Sequence, residues 1–289
     1  MSKVLILGST GMLGSAVEKV LKAGEIDITV ASRTKGVLFD AVGVNMPNLI
    51  EDSGLSSGDF IVNCIGLTKA RINEESIASR QLAVELNIDF PNSLARAAEH
   101  ANLRVIQVAT DCVYSGGRGS YTELDAHDSH DVYGKTKSMG EAPSASVMHL
   151  RCSLIGPELG RSSLFYEWVR NQPQGSHIHG YKNHFWNGLT STAFARIVRG
   201  VVTSDLFKPG VQHLVPAGRV TKDELIRIVL ASLSRSDVQV EAVDAREGVD
   251  RTLNTVNEEF NKKLFRSAGY LSLPDIPLMV SELAAELAN

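Results

Sequence analysis

The chain begins with the stretch Val4-Leu5-Ile6-Leu7-Gly8-Ser9-Thr10-Gly11-Met12-Leu13-Gly14, which decides the fold. The four apolar residues suit a buried strand, and a helical pattern begins directly after the second glycine. The first glycine permits a tight turn, the second lets backbone approach a pyrophosphate, and the third lets helix and strand pack closely. The alternative is a turn that merely connects two elements. The strand and helix on either side favour a dinucleotide site formed by Gly8, Ser9, Thr10, Gly11, Met12, Leu13 and Gly14.

Strand-like runs alternate with helical patterns through the first half of the chain. The predicted strands are Lys3–Leu7, Asp27–Ala31, Gly36–Ala41, Phe60–Ile65, Arg104–Ala109 and Val147–Cys152. The predicted helices are Met12–Ala23, Asn45–Asp52, Glu74–Ala101 and Asp131–Glu141. This alternation predicts an α/β fold, a Rossmann-type doubly wound parallel sheet over residues 1–155.

Proline and glycine interrupt the alternation after about Gly156, so residues 156–289 are predicted to form a smaller C-terminal substrate-binding lobe. Helical patterns recur there at Ser162–Asn171, Ser191–Thr203, Thr221–Leu233, Asn257–Ala268 and Leu278–Leu287. We expect the segments around 190–217 to return to the first domain, with Val211–Val215 as a strand of its sheet.

The composition is that of an ordinary globular protein. The chain has 289 residues, 43% of them apolar, and a net charge of −4, so it offers no polybasic surface for nucleic acid. No apolar run approaches the length of a membrane span or of a signal peptide. The three cysteines, Cys64, Cys112 and Cys152, are widely spaced in apolar runs, which indicates reduced thiols and a cytoplasmic location.

The end of the second predicted strand indicates which cofactor is bound. An acidic residue there usually binds the ribose hydroxyls of NAD, whereas basic residues suit the 2′-phosphate of NADP. The chain has Ser32, Arg33 and Lys35 and no acid, which favours NADPH, with NADH as the alternative. Asp40, near the end of the third strand, is a candidate for the adenine amino group or an ordinary turn aspartate.

Tyr133 and Lys137 form the candidate catalytic pair. Four residues apart, they share one face of a helix, so the ammonium is expected to lower the pKa of the phenol and to bind the nicotinamide ribose. Thr110 ends an apolar strand, where ligand loops of a parallel sheet converge. We expect Thr110 to orient a carbonyl, Tyr133 to supply a proton and the nicotinamide to supply hydride.

Three blocks of sequence make the likeness to a family specific. They are Ala109–Gly116, Gly119–Glu123 and Val132–Glu141. These blocks resemble the dTDP-4-dehydrorhamnose reductases, extended short-chain dehydrogenases/reductases that reduce a 4-keto sugar nucleotide with NADPH or NADH. The resemblance implies that the turn containing Cys64, Ile65 and Gly66 and the segment containing Cys152 border the cofactor. Asn87 falls where the family usually has a helix asparagine.

The resemblance also suggests substrate contacts at Thr110, Asp111 and Cys112 and, by analogy alone, a homodimer. Cys112 stands where the reductases commonly have an aromatic residue and where related dehydratases have a catalytic acid. Cysteine cannot serve as that acid, so a dehydratase is disfavoured.

In the second lobe, the loop Gly180–Thr190 is rich in hydrogen-bonding and stacking groups. Trp186 is expected to pack against a substrate ring, and Asn183 or Asn187 to bind hydroxyls, unless this is an ordinary polar loop. The loop Asp125–Asp131 carries two histidines and three aspartates, but ligands so crowded on one loop rarely complete a coordination sphere. No metal is therefore expected, and Asp131 is predicted to cap the helix of Tyr133.

Three functions remain open from the sequence. The first is NADPH-dependent reduction of a 4-keto-6-deoxy sugar nucleotide for polysaccharide or glycoside biosynthesis. The second is epimerisation, or combined epimerisation and reduction, which needs the same Thr110, Tyr133 and Lys137. The third is a non-catalytic regulatory subunit that binds NADP, a role some members of the family have; the intact catalytic residues argue against it.

Overall fold

The apolar run at the start of the chain forms the middle of a sheet. The computed structural model describes residues 2–141, 143–158 and 164–288. Its strands are β1 (Val4–Leu7), β2 (Ile28–Ser32), β3 (Val37–Leu38), β4 (Phe60–Asn63), β5 (Arg104–Thr110), β6 (Val147–Cys152), β7 (Leu154–Ile155), β8 (His177–Tyr181), β9 (His184–Trp186), β10 (Leu189–Thr190), β11 (Gly210–His213), β12 (Val220–Thr221), β13 (Gln239–Val243) and β14 (Val249–Asp250).

The helices lie between these strands as the sequence predicts. They are α1 (Met12–Ala23), α2 (Met46–Asp52), α3 (Ile77–Val84), α4 (Phe90–His100), α5 (Val132–Met139), α6 (Phe165–Arg170), α7 (Ser191–Thr203), α8 (Lys222–Ser232), α9 (Glu258–Ser267) and α10 (Ile276–Ala288). In the described part of the chain, no helix is both long enough and apolar enough to span a membrane.

Seven strands form one parallel sheet in the order β11-β6-β5-β4-β1-β2-β3. Val4 of β1 pairs with Ile28 of β2 on one side and with Phe60 of β4 on the other. The next strands in the chain, β2 and β3, lie on one side of β1, whereas β4, β5 and β6 lie on the other. The strand order therefore reverses between β1 and β4. Ligands of open α/β sheets bind at the carboxyl end of the strands beside such a reversal. The Rossmann-type prediction is confirmed.

Alternate residues of β1 point to opposite faces of the sheet, as the pleat requires. Val4 and Ile6 belong to an apolar cluster that includes α1 and α7, whereas Leu5 and Leu7 belong to a second cluster with α2 and α4. Both faces are thus covered by helices. This burial explains why β1 is apolar at every position rather than at alternate ones.

The C-terminal half both returns to the sheet and forms a lobe. β11 pairs with β6 at the edge of the sheet, and α7 packs on α1, as expected for the segments around 190–217. The lobe contains the sheet β12-β9-β14, the pair β13-β8, and helices α6 and α8. The largest apolar cluster includes Ile6 and Val17 as well as Leu225 and Val229. The two halves therefore share one core across the predicted boundary at residue 155.

Several elements differ from the sequence prediction. The single helix predicted over 74–101 begins at Ile77 and contains a π-helical turn, Glu85–Asp89, between α3 and α4. The helix of Tyr133 ends at Met139 with Gly140 as its C-cap, where a Cβ would overlap the carbonyl oxygen of Asn87. The start of the helix predicted over 162–171 lies outside the described residues, and α6 covers only Phe165–Arg170.

Candidate functional site

The glycine turn between β1 and α1 has the geometry that the sequence predicts. Gly8 has a φ of +79°, and its carbonyl accepts a hydrogen bond from the amide of Gly11 at 3.0 Å. A Cβ at Gly14 would overlap that same carbonyl, so only glycine lets α1 approach the turn. Gly11 differs, because a Cβ there would lie at an ordinary contact distance of 3.5 Å from the Gly8 oxygen, and the residue is exposed.

The turn leaves hydrogen-bonding groups without partners in the described chain. Gly11 is the N-cap of α1 and provides no side-chain acceptor for the first amides of the helix. The hydroxyl of Ser9 is buried and has no hydrogen-bond partner among the described residues. Thr10 and Gly11 are exposed on the outer side of the turn, whereas Leu13 is buried in the core. Free amides and an unpaired hydroxyl beside an exposed glycine fit the diphosphate of a dinucleotide.

The loop after β4 lies directly against this turn. The amide of Cys64 donates to the Leu7 carbonyl at 3.1 Å, and a Cβ at Gly8 would come 3.0 Å from the Ile65 side chain. Burial raises the pKa of the Cys64 thiol to about 12, so the thiol stays protonated at neutral pH. Cys64 and Ile65 thus lie against the glycine turn, and the proposed cofactor contact of Cys64, Ile65 and Gly66 stays a prediction.

Asn87 fixes the end of that loop from within the π-helical turn. Its side-chain oxygen accepts from the Leu67 amide at 2.8 Å, and its side-chain nitrogen donates to the Leu67 carbonyl and to the Thr136 hydroxyl, each at 3.1 Å. The buried side-chain amide of Asn87 therefore joins the loop after β4 to α5, the helix of Tyr133. The sequence signalled Asn87 only through family resemblance; the structure gives its contacts.

The end of β2 provides one free cation rather than three phosphate ligands. The hydroxyl of Ser32 accepts from the amides of Thr34 and Lys35 and donates to the Lys35 carbonyl, so it closes the turn. The Lys35 ammonium bonds both carboxylate oxygens of Glu18 at 2.7 Å. Arg33 is exposed and forms no ion pair with any described residue. Arg33 is therefore the group available to a 2′-phosphate.

Asp40 has the position of a turn aspartate. Its carboxylate accepts from the Val42 amide at 3.1 Å, and its side chain is exposed. This local contact satisfies one carboxylate oxygen, so the adenine contact stays a prediction.

The structure brings Thr110 and Tyr133 together at the carboxyl end of β5. Thr110 is the last residue of that strand, and its hydroxyl lies close enough to the Tyr133 phenol to lower the pKa of that phenol. The same hydroxyl accepts from the Cys112 amide at 3.2 Å and lies 3.3 Å from the Asp111 carboxylate. Both hydroxyls thus converge next to the point where the strand order reverses.

Two local features set the position of α5. The Asp131 carboxylate caps the helix by accepting from the Gly134 amide at 2.7 Å, as predicted, and its other oxygen pairs with Lys69 at 2.7 Å. A Cβ at Gly134 would overlap the Cys112 carbonyl and the Ser129 side chain. The glycine next to Tyr133 therefore allows the helix to approach the end of β5 closely enough for the contact with Thr110.

The pKa of Tyr133 differs from the sequence expectation. Burial raises the pKa of this phenol, and the hydrogen bond from Thr110 lowers it by less. Lys137 was expected to lower it, but its ammonium donates to the Val108 carbonyl at 3.0 Å, and burial lowers the pKa of Lys137 itself. The expectation of a pKa lowered by Lys137 is thus wrong for this structure. A phenol that stays protonated is the form a proton donor needs.

The residues beside Thr110 differ in exposure. Asp111 is buried, and burial raises the pKa of its carboxyl against the charges of Arg251 and Lys222. Cys112 is half-buried, and burial raises the pKa of its thiol to about 12. Cys152 pairs in register with Thr110 but is buried in the apolar cluster. The Cys152 side chain therefore belongs to the core, and only its backbone is left to border a cofactor.

The lobe residues predicted to bind substrate mostly have structural contacts. Asn183 forms two hydrogen bonds with the backbone of Ala245, at 2.8 and 2.9 Å. Asn187 does the same with Leu253, at 2.7 and 2.9 Å. These hydrogen bonds oppose the expectation that either side chain binds hexose hydroxyls, because the oxygen and the nitrogen of each side-chain amide already bond to the backbone of another loop. The sequence does not distinguish a structural Asn from a ligand-binding Asn in this loop, because their backbone partners lie 62 and 66 residues away.

Trp186 is also more buried than a stacking platform would be. Only 4% of it is exposed, and its ring nitrogen donates to the Ser153 hydroxyl at 2.8 Å. The expected stacking of Trp186 on a free substrate ring is therefore opposed by burial. Its ring instead lies beneath the ammonium of Lys222, 5.8 Å from the ring centroid.

Two cations of the lobe, Lys222 and Arg251, lie near Asp111 although no sequence motif marks them. Lys222 is half-buried at the start of α8, with its ammonium 4.5 Å from the ring centroid of Phe165. Arg251 donates from Nε to the Tyr114 carbonyl at 2.9 Å. Both charges act on Asp111, more than a hundred residues earlier in the chain. No local pattern marks them, because they reach the site only through the packing of the lobe.

The loop of histidines and aspartates before α5 is held by hydrogen bonds. Asp128 accepts from the Ser115 amide and hydroxyl, and Asp125 pairs with Arg118 at 2.6 Å. His127 contacts the Ser138 hydroxyl at 2.6 Å. Within residues 2–141, 143–158 and 164–288, no three His, Cys, Asp or Glu side chains group as a metal site.

Two curated proteins are similar in sequence to this chain over part of its length. A dTDP-4-dehydrorhamnose reductase of Aggregatibacter actinomycetemcomitans is 29% identical over 234 residues, which cover 74% of this chain and 73% of the relative. The methionine adenosyltransferase 2 subunit beta of Bos taurus is 30% identical over 146 residues, which cover 48% of this chain and 41% of that protein.

The similarity of fold extends over almost the whole chain. A crystal structure of a dTDP-4-dehydrorhamnose reductase from Clostridium acetobutylicum superposes with a TM-score of 0.79 at 20% identity, covering 99% of this chain and 100% of the other. The Bacillus anthracis dTDP-4-dehydrorhamnose reductase in complex with NADP gives 0.78 at 19% identity, with the same coverage. The family model described as the RmlD substrate binding domain matches residues 2–288. The chain belongs to the RmlD substrate binding domain family.

Proposed function

We propose that this protein is an NADPH-dependent reductase of a 4-keto-6-deoxy sugar nucleotide, acting in nucleotide-sugar and polysaccharide biosynthesis. The observation that carries the proposal is that the side chains of Thr110 and Tyr133 lie next to each other at the carboxyl end of β5. This pair lies in the crevice that the glycine turn and the Cys64–Gly66 loop also border. Membership of the family and the likeness to dTDP-4-dehydrorhamnose reductases support the choice of reaction.

The residues at the sheet edge divide the work of carbonyl reduction. Bound reduced nicotinamide supplies the hydride. Tyr133, kept protonated by its raised pKa, donates a proton to the carbonyl oxygen, and Thr110 hydrogen-bonds that oxygen. Lys137 lies on the same face of α5, close to Gly66, where its ammonium reaches the cofactor side and binds the nicotinamide ribose.

The cofactor contacts follow from the groups that the fold leaves unpaired. The amides at the start of α1 and the Ser9 hydroxyl bind the diphosphate. Arg33 binds the 2′-phosphate, which gives the preference for NADPH over NADH.

The test is turnover of NADPH with a panel of 4-keto-6-deoxy sugar nucleotides, including dTDP-4-dehydrorhamnose. Tyr133→Phe removes the proton donor and leaves the ring, so we expect kcat/KM to fall about 100-fold or more. Tyr181→Phe is the matched control, because that side chain is 42% exposed in the lobe and should leave kcat/KM unchanged. No turnover by wild type, or a loss below about tenfold in Tyr133→Phe, would rule out the reductase assignment.

The likeness to the methionine adenosyltransferase 2 subunit beta keeps a second function in view. A regulatory subunit would bind NADPH without consuming it on any substrate. An epimerase would convert the sugar with no net loss of NADPH. The same assay, with product analysis, therefore separates the three.

A further inference from the structure

Two cations of the lobe, Lys222 and Arg251, lie near the buried carboxyl of Asp111, the residue that follows Thr110. Lys222 and Arg251 both lie close enough to Asp111 for their charges to lower its pKa. In the described part of the chain, neither Lys222 nor Arg251 forms an ion pair with a carboxylate. One buried carboxyl thus faces two cations without pairing directly with either.

The surroundings of Lys222 make this arrangement unfavourable in the free protein. Its ammonium lies over the rings of Phe165 and Trp186, at 4.5 and 5.8 Å, which replace water on one side. Aromatic faces attract a cation but satisfy none of its three hydrogen-bond donors. A desolvated cation without an acceptor costs free energy, and an anionic ligand removes that cost.

The position of the two cations assigns them to the substrate side. Asp111 and Cys112 follow Thr110 directly, whereas the glycine turn with its own phosphate-binding amides lies at the end of β1. Lys222 and Arg251 come from the lobe, from α8 and from the residue after β14. An anion held between them would therefore belong to the molecule whose carbonyl meets Thr110 and Tyr133, not to the dinucleotide.

We propose that Lys222 and Arg251 together bind an anionic oxygen group of the sugar nucleotide. This inference rests on the proposed function, since it takes the second ligand of the crevice to be a nucleoside diphosphate sugar. Two parts of such a molecule have the required chemistry: the diphosphate, and a carboxylate on the hexose. Arg251 is anchored through Nε at the Tyr114 carbonyl, which leaves its terminal nitrogens free to bind oxygen.

Calorimetric binding to the NADPH-loaded protein tests the assignment. The ligands are dTDP and UDP, together with the glucose and glucuronate conjugates of each. Lys222→Met removes the charge and keeps the length of the side chain, and we expect Kd to rise about tenfold or more. Arg251→Met should act in the same direction. Lys182→Met is the matched control in the same lobe, because its ammonium pairs with Asp244 on the surface, and we expect wild-type Kd.

The pattern over ligands identifies the group that is bound. A loss that is equal for the nucleotides and for both conjugates assigns the diphosphate, whereas a loss confined to the glucuronates assigns a hexose carboxylate. Lys222→Arg keeps the charge, so tighter binding by Lys222→Arg than by Lys222→Met supports a charge contact even if the methionine variant is less stable.

Wild-type Kd in both Lys222→Met and Arg251→Met would overturn the inference and leave the reductase assignment intact. Failure of wild type to bind any of these ligands would overturn both proposals. Ligand binding without turnover would overturn only the reductase, and the variants would still decide the role of the cations.

Discussion

The cofactor side and the substrate side of the crevice are built from different parts of the polypeptide. The cofactor side consists mainly of backbone, in the glycine turn after β1 and the loop after β4. The proposed substrate side consists of side chains, with Thr110 from the end of β5, Tyr133 from α5, and Lys222 and Arg251 from the lobe. A backbone site depends on a few adjacent glycines, whereas a side-chain site depends on how distant segments pack. The first is therefore local in sequence and the second is not.

The largest expected effect comes from the glycines of the backbone site. Gly14→Ala places a Cβ against the Gly8 carbonyl, and the overlap can be relieved only if the backbone of the turn or of α1 shifts. We therefore expect a loss of about 1–3 kcal/mol in the free energy of unfolding. Gly11→Ala meets no such overlap and should unfold like wild type. Because its methyl group lies where the diphosphate approaches, Gly11→Ala should instead raise the Kd for NADPH about tenfold. Denaturant unfolding and NADPH titration measure the two effects; the reverse assignment would contradict a backbone-built cofactor site.

A smaller effect is expected where the cofactor side does rely on a side chain. Arg33→Ala removes the exposed cation at the end of β2 and should raise the Kd for NADPH about tenfold while leaving the Kd for NADH unchanged. The matched control is Lys35→Ala, whose ammonium is already bound to Glu18 and should not discriminate between the two cofactors. Equal effects of Arg33→Ala on both cofactors would argue against the 2′-phosphate contact.

The smallest expected effect is a pH dependence on the substrate side. Burial lowers the pKa of Lys222 to about 8, with Arg251 acting in the same direction and Asp111 and Cys112 opposing it. The ammonium is therefore charged below about pH 8 and loses its proton above it, so the Kd for UDP should rise by a few-fold between about pH 7 and pH 9. Lys222→Arg stays charged over this range and should remove that rise. Parallel pH profiles for the two proteins would contradict titration of Lys222.

Much of the fold could be predicted from local pattern. The strands β1, β4, β5 and β6 are mostly apolar because both faces of the sheet are covered, and the alternation of strands and helices predicts that they pair in parallel. The π-helical turn at Glu85–Asp89 could not be predicted, since it depends on Asn87 reaching both Leu67 and Thr136.

The candidate site was predictable in proportion to its local character. Asp131 caps α5 by accepting a hydrogen bond from the Gly134 amide, only three residues later in the chain, and the sequence predicted this contact. The pKa of Tyr133 was not predicted correctly, because the spacing to Lys137 indicates proximity but not burial or the competing Val108 carbonyl. Asn183 and Asn187 were assigned to substrate because their backbone partners lie in a part of the chain that no spacing connects to them.

The sequence by itself determined the alternation of strands and helices, the glycine turn and the pair Tyr133 and Lys137, because each is a pattern of residues close in the chain. Only the tertiary structure decided which polar side chains are left free. Lys35, Asn183 and Asn187 are held by other residues, whereas Arg33, Lys222 and the Ser9 hydroxyl are available to ligands. Which polar atoms the fold leaves unpaired depends on segments brought together from across the chain, because the partners of buried polar groups come from distant elements.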